Sequence, residues 1–286
     1  MTEFEKNMDI LSLPQSTRDY IRNLYDAKPD WFLRAAEAAY EGKVPDFPIC
    51  RRSPAERFVI WCCRIPKIYQ KYKTSGIPDV VTRATLQDVT RRAVEYERRT
   101  GKKGLSKEDV IWLRHIENCE IFQIGALQFQ LFHMVYLDME GCGEAYMAFS
   151  HTWKEKLPQG TPVVNLHIPA GTDFSPAAVQ SALTDAKTFF NAYFPRFSAK
   201  AFICYSWLLY PGLLELLPSD SNIRAFAGRF EIIGQVCDPY GSDSIKRIYG
   251  KRYPNKKDYP QKTLLQKNAI GHFSKLGMAC GIIEIT

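Results

Sequence analysis

Cysteine pairs at metal-ligand spacing are absent from this chain. Its eight cysteines, at positions 50, 62, 63, 119, 142, 204, 237 and 280, form no Cys-x-x-Cys pair, and the histidines show no matching spacing. No metal site is therefore expected. Most cysteine neighbours are apolar, as in Trp61-Cys62-Cys63 and Phe202-Ile203-Cys204, so buried, reduced thiols are expected. A long apolar run is also missing. The most apolar stretch, 201–217, contains Pro211, Gly212 and Glu215 and is too broken to span a bilayer. The opening residues, Met1-Thr2-Glu3-Phe4-Glu5-Lys6, are polar and acidic, without the apolar centre of a signal peptide. These absences point to a cytoplasmic address and no membrane partner. There is no low-complexity tract, no repeat at solenoid spacing and no nucleic-acid-binding motif.

What is present is ordinary globular material. The 286 residues allow one large or two modest domains with a real core. The formal charge of +7 gathers in two stretches. One is Arg91-Arg92, Arg98-Arg99 and Lys102-Lys103, interleaved with Glu95 and Glu97. The other is Lys246-Arg247, Lys251-Arg252 and Lys256-Lys257. A solvated helix face explains either, and an anionic cofactor suits the second as well as nucleic acid does.

The first hundred residues read as helices. Ser16 and Asp30 stand where helix caps belong, and Ser53-Pro54-Ala55-Glu56 is a capping box. Pro66 is expected to end or kink the helix that follows. Leu86 to Arg99 carries helical apolar spacing with Gly101 as its stop, and Ser106 with Asp109 caps another helix. The pattern changes near Cys119. Residues 120–137 read as two strands joined near Gly125 or His133, with Gln128, Gln130 and Phe132 alternating against Phe129, Leu131 and His133. A further strand is expected at Ala145 to Ser150, helices at Ser242 to Tyr249 and Thr263 to Leu276, and a closing strand at 281–285. The domain boundary is placed at the change of pattern near Cys119, giving 1–118 and 119–286.

The central stretch reads strand (Thr161 to Pro169), loop (Ala170 to Phe174), helix (Ser175 to Phe194), strand (Ala201 to Leu209). A polar turn (Pro218 to Asn222) and a strand (Arg229 to Val236) follow. Ser175-Pro176 is a strong helix start. A Gly-containing loop feeding a helix N-terminus offers backbone N–H groups and the positive dipole end to an anion. The residues alone support a possible anion site near Ala170, Gly171 and Thr172 in an α/β region.

The text of this stretch is more specific. Val164-Asn165-Leu166-His167-Ile168-Pro169, Cys204-Tyr205-Ser206-Trp207-Leu208-Leu209, Leu217-Pro218-Ser219-Asp220-Ser221-Asn222-Ile223 and Arg229-Phe230 occur in this order. Together they resemble the GNAT-like C-terminal domain of bacterial acyltransferase-domain proteins, over roughly Trp112 to Val236. The resemblance implies an α+β chain with a helical N-terminal domain before a GNAT-like mixed-sheet domain. It also implies acyl-CoA or acetyl-CoA as co-substrate, held between two splayed parallel strands, and acyl transfer to a small-molecule amine.

Within that frame His167 is a candidate base, set against a histidine simply held in a packed sheet end. Tyr205 is a candidate acid for the leaving thiolate and Ser206 a proton relay, each also explicable as packing. By period two, Cys204, Ser206 and Leu208 share one strand face, and Tyr205 and Trp207 the other. Asn222 fits the residue that holds the pantetheine arm, or a helix start. Arg229 is expected to open its strand and meet a phosphate or an ion-pair partner. Trp61, Tyr69, Tyr72 and Trp112 would line the acyl pocket or fill the core.

The loop Pro169-Ala170-Gly171-Thr172-Asp173-Phe174-Ser175 departs from the family's phosphate signature, Gln/Arg-x-x-Gly-x-Gly/Ala. It has one glycine, and Asp173 stands where anions should approach unless it caps the helix. Two readings follow: an N-acyltransferase using direct attack on the thioester, or a non-catalytic binding or structural protein on the same scaffold. A weaker third makes Cys204 a nucleophile with His167 as its base.

Overall fold

The structure, a computed structural model, describes residues 3–238 and 242–285. The chain divides into two compact units, Met1–Ile124 and Gly125–Thr286. No helix among the described residues is long and apolar enough to cross a membrane.

The first unit is built from α1 (Glu3–Leu11), α2 (Gln15–Ala27), α3 (Pro29–Glu37), α4 (Pro54–Thr74), α5 (Asp79–Thr100) and α6 (Lys107–Glu117), and ends in β1 (Ile121–Ile124). Both sequence capping boxes form: Ser53 with Glu56 opens α4, and Ser106 with Asp109 opens α6. Gly101 ends α5 in the left-handed region, φ 69°. Ser16 and Asp30 do not cap. Pro14 and Lys28, just ahead of α2 and α3, take the N-cap positions, with no side-chain cap.

Pro66 neither ends nor breaks α4, which continues to Thr74. A proline leaves the carbonyl four residues earlier without its helical donor. Here that carbonyl belongs to Cys62, and buried Asn7 of α1 donates its side-chain N–H to it at 3.2 Å. The core of the unit also holds an ion pair between Arg64 and Glu117, and Arg64 reaches the Ala36 carbonyl.

The second unit contains β2 (Leu127–His133), β3 (Ala148–Phe149), β4 (Pro162–His167), β5 (Ala201–Ser206), β6 (Glu231–Cys237) and β7 (Gly277–Glu284). Its helices are α7 (Met139–Cys142), α8 (His151–Lys156), α9 (Pro176–Tyr193), α10 (Pro211–Leu214), α11 (Asn222–Ala227), α12 (Ser242–Tyr249) and α13 (Leu264–Ala269). The strands run in the order β2-β4-β5-β7-β6-β3. The β4–β5 pair is parallel, and its neighbours β2 and β7 are antiparallel to it. The turn before β2 falls at Gly125, φ 57°, where a Cβ would lie 3.2 Å from that of Ala182 in α9.

Several elements are shorter than the sequence pattern predicts. β5 stops at Ser206 because its hydroxyl accepts from Leu208 N–H (3.2 Å) and turns Trp207–Leu209 into a 3₁₀ helix. β6 starts at Glu231. Arg229 and Phe230 lie outside it, their N–H groups bonding back to the Phe226 and Ala227 carbonyls. The helix expected over Thr263 to Leu276 ends at Ala269, before Gly271 at φ 85°. Five cysteines are buried as expected, whereas Cys142 and Cys237 are exposed.

Candidate functional site

Residues at alternating positions of β4 point to opposite faces of the sheet, so Asn165 and His167 share one face and Val164 and Leu166 the other. On β2, Gln128 stands opposite His167 and Gln130 opposite Asn165. On β5, Ile203 stands beside Asn165, which puts Tyr205 on the same face. One face of three adjacent strands thus carries Gln128, Gln130, Asn165, His167 and Tyr205. The other carries Phe129, Val164, Leu166, Phe202, Cys204 and Ser206.

The parallel ladder between β4 and β5 comprises Val164–Phe202 and Asn165–Ile203 and goes no further. Beyond it, β4 stays registered to β2 as far as His167, and β5 stays registered to β7 through Ser206. Each strand is held by its outer neighbour while the seam between them opens. His167 and Tyr205 stand on opposite sides of that opening, on the same face.

The His167 Nε2 atom lies 2.8 Å from Gln130 Oε1. An amide oxygen can only accept, so in this contact Nε2 is the donor. Gln130 is itself buried. Next to it, Gln128 Nε2 and Asn165 Oδ1 are buried and have no hydrogen-bond partner among the described residues. A buried donor and a buried acceptor left open on one face are rare, and each needs a partner.

The model of the GNAT-like C-terminal domain family matches residues 121–283. The chain belongs to this family. Ahead of the GNAT-like domain, residues 9–119 match the N-acyltransferase N-terminal domain. The fold is similar to that of an acyltransferase solved with decanoyl-CoA and teicoplanin, at 22% identity and a TM-score of 0.76 over 99% of this chain and 88% of that one. An acyltransferase mutant with octanoyl-CoA gives 21% identity and a TM-score of 0.74 at the same coverage. An acyltransferase with CoA and 10C-teicoplanin gives 22% and 0.76, covering 100% of this chain and 88% of that one. Comparison with curated proteins gives no match.

The remaining sequence candidates of the GNAT-like domain fall in different places. Tyr205 donates its hydroxyl to the Val135 carbonyl, and burial raises its pKa well above the usual phenol value. Ser206 is buried on the opposite face from His167, its oxygen used in the 3₁₀ turn. Cys204 is on that opposite face too, and burial pushes its thiol up to about 12. The two faces separate Cys204 from His167, so the nucleophile–base pairing of the sequence reading does not form.

The loop before α9 is closed on itself. Thr172 bonds back to Pro169 O through both its N–H (3.2 Å) and its hydroxyl (2.8 Å), around Gly171 at φ 81°. Ser175 N–H goes to Asp173 Oδ1 (2.8 Å), and Ala178 N–H to Ser175 Oγ (3.4 Å). Ser175, not Asp173, is therefore the N-cap of α9; Asp173 accepts from the Ser175 N–H and hydroxyl and leaves its carboxylate exposed beside the helix start. Ala170 and Gly171 are exposed at the loop tip. Arg229 reaches α9 instead of opening β6: it donates to Gln180 Oε1 (2.6 Å) and Pro176 O (3.3 Å). Asn222 is exposed in the first turn of α11, whose cap is Ser221.

In the helical unit, Trp61 and Tyr72 are fully buried; Trp61 donates to the Tyr40 hydroxyl and Tyr72 to Ile121 O. They are core. Tyr69 and Trp112 are half-buried, each beneath an arginine. Sequence reasoning missed Gln128, Gln130 and Asn165. The signal was there as glutamines at every second position of an otherwise apolar strand, a spacing that aims them at one face.

Proposed function

We propose that the protein is an acyl-CoA-dependent N-acyltransferase that moves an acyl group to the amine of a small molecule by direct attack on the thioester. The observation that carries this reading is the seam that opens beyond Asn165 and Ile203, with His167 and Tyr205 at its two edges on one face. Such an opening suits the narrow pantetheine arm. The open Gln128 donor and Asn165 acceptor suit an amide, whose C=O and N–H would complete both.

In this mechanism the acceptor amine attacks the thioester carbonyl and its proton passes to the His167 imidazole. The C–N bond forms, the C–S bond breaks, and the departing thiolate takes the Tyr205 proton. Burial keeps Tyr205 protonated at neutral pH and also makes it a reluctant donor, so the proton transfer depends on the thiolate forming directly beside it. The Tyr205 hydroxyl must first turn from the Val135 carbonyl. Placing the amine beside the thioester supplies much of the remaining acceleration.

The neighbours that hold decanoyl-CoA, octanoyl-CoA and teicoplanin support medium-chain acyl donors and a bulky small-molecule acceptor as the first to test. A second reading, a non-catalytic binding protein on this scaffold, is favoured by Asp173 at the start of α9. A thermal-shift panel with CoA and with acetyl-, octanoyl- and decanoyl-CoA decides between them. A donor at a hundred times its dissociation constant should stabilise the fold by about 2.7 kcal/mol. CoA release with amine acceptors then follows by thiol detection. Melting unchanged by every CoA species sinks the enzyme reading.

A further inference from the structure

The segment 242–276 carries nine lysines and arginines against two aspartates, a net charge equal to the +7 of the whole chain. Lys275 pairs with Glu215. Lys246, Lys251, Lys256, Lys257, Lys262 and Lys267 are exposed and have no ion pair among the described residues. The other basic stretch is unlike this. Arg91, Arg92, Arg98, Arg99 and Lys103 are each matched to Asp88, Asp109, Glu95 or Glu97.

The segment is also firmly mounted. Thr263 and Gln266 form a capping box on α13, Gln266 Nε2 donates to Ile248 O (2.9 Å), and the Tyr249 hydroxyl to Gln266 O (2.7 Å). Its apolar side, including Ile245, Ile248, Tyr249 and Leu276, forms one cluster with Leu208, against which Ile168, Phe174 and Trp207 pack. Ile168 follows β4 directly, and Trp207 and Leu208 follow β5. The unpaired cations are thus carried on a rigid element seated at the end of the sheet where the seam opens. The loop that would ordinarily take a phosphate there has spent the Thr172, Ser175 and Ala178 amides on itself and holds a carboxylate.

We infer that the basic segment 242–276, rather than the loop before α9, binds the phosphates of the nucleotide part of acyl-CoA. Lysines on a fixed backbone serve as point charges for a diphosphate or a ribose phosphate. This rests on the proposed function, since it assigns the phosphate contacts of the same donor.

The test is calorimetric binding to the full chain, with CoA, dephospho-CoA and pantetheine as probes. The variants are Lys256→Glu with Lys257→Glu, and Lys246→Glu with Lys251→Glu; Lys67→Glu with Lys73→Glu in α4 controls for net charge. At least one segment variant should weaken CoA roughly tenfold or more, the effect of losing a charge-assisted hydrogen bond. Its salt dependence should fall in step, and pantetheine, which lacks these phosphates, should bind as before. Dephospho-CoA distinguishes the ribose phosphate from the diphosphate: a loss confined to CoA points to the former, an equal loss for both to the latter. Wild-type binding with unchanged affinity in both segment variants overturns this inference alone. An equal loss for pantetheine, or for the α4 control, overturns it too. So does duplex DNA binding that the variants abolish while CoA affinity stays intact. Wild-type protein that binds no CoA overturns the inference together with the proposed function.

Discussion

The two faces of the sheet at the open seam arise from the same strands and the same alternation, yet they have opposite characters. One carries Gln128, Gln130, Asn165, His167 and Tyr205, with Ile203 packed in an apolar cluster beside them; the other carries Phe129, Val164, Leu166, Phe202, Cys204 and Ser206. On the apolar face the rings of Phe129 and Phe202 meet at 5.6 Å, and Phe202 shares a small cavity with Phe190 and Phe194 at the end of α9. That face is satisfied by packing. The polar face is not satisfied from within, since a donor and an acceptor are left open there. Burying unmet polar groups costs about 1–3 kcal/mol each. Under the proposed function, the bound donor completes that open donor and acceptor.

Removing the polar face's basic group should have the largest effect. His167→Ala is expected to lower kcat roughly a hundred- to ten-thousand-fold, the contribution of a positioned general base. His167 is only half-buried at a strand end, so melting temperature and CoA affinity should change little. Steady-state kinetics beside a thermal melt and a CoA titration give the split. A fully active His167→Ala enzyme would remove histidine from the mechanism.

Gln130 is expected to come next, acting through His167. Gln130→Leu removes the oxygen that accepts from His167 Nε2. It should lower kcat by about ten- to a hundredfold, as seen for groups that orient a histidine at metal centres. Gln130→Glu tests the same contact with the opposite electrostatics. A carboxylate beside Nε2–H favours the imidazolium and raises the His167 pKa by about one unit or more. The base must be neutral to act, so the acid limb of the kcat/KM profile should move to higher pH by that amount. A profile that does not move, despite correct folding, would make Gln130 a packing residue.

The contrast between faces was partly legible in the sequence. Period two placed Cys204 and Ser206 opposite Tyr205, and the strands do so. It failed at Trp207 and Leu208 because a local bond from Leu208 N–H to Ser206 Oγ outweighs strand continuation. The seam itself was not legible from the residues. β4 and β5 part because each is held on its outer side, by β2 and by β7, and β7 comes more than seventy residues after β5. Pro66 gives the same lesson in the helical unit. Local rules predict an end or a kink, and Asn7, fifty-five residues from Cys62, supplies that carbonyl's missing donor. Caps, by contrast, were readable at Ser53, Ser106 and Ser175 because each is made within three residues. Asp173 lay between the two cases: its charge was visible, its partner Ser175 only in the fold.

The smallest effect on catalysis is expected from the apolar face, and it sharpens the comparison most. Cys204 is buried, and its thiol, pushed up to about 12, stays protonated at neutral pH. A thiol rather than a thiolate is a poor nucleophile, and here it is turned away from His167. Cys204→Ala should leave kcat within about twofold of wild type, while loss of the buried sulfur costs about 1 kcal/mol of stability through the small cavity left behind. Intact-mass analysis after incubation with decanoyl-CoA should find no acyl adduct on the wild-type chain beyond that on Cys204→Ala. A large fall in kcat with stability unchanged, or an adduct that disappears with Cys204, would mean that chemistry reaches both faces. Direct attack on the thioester would then give way to a covalent route.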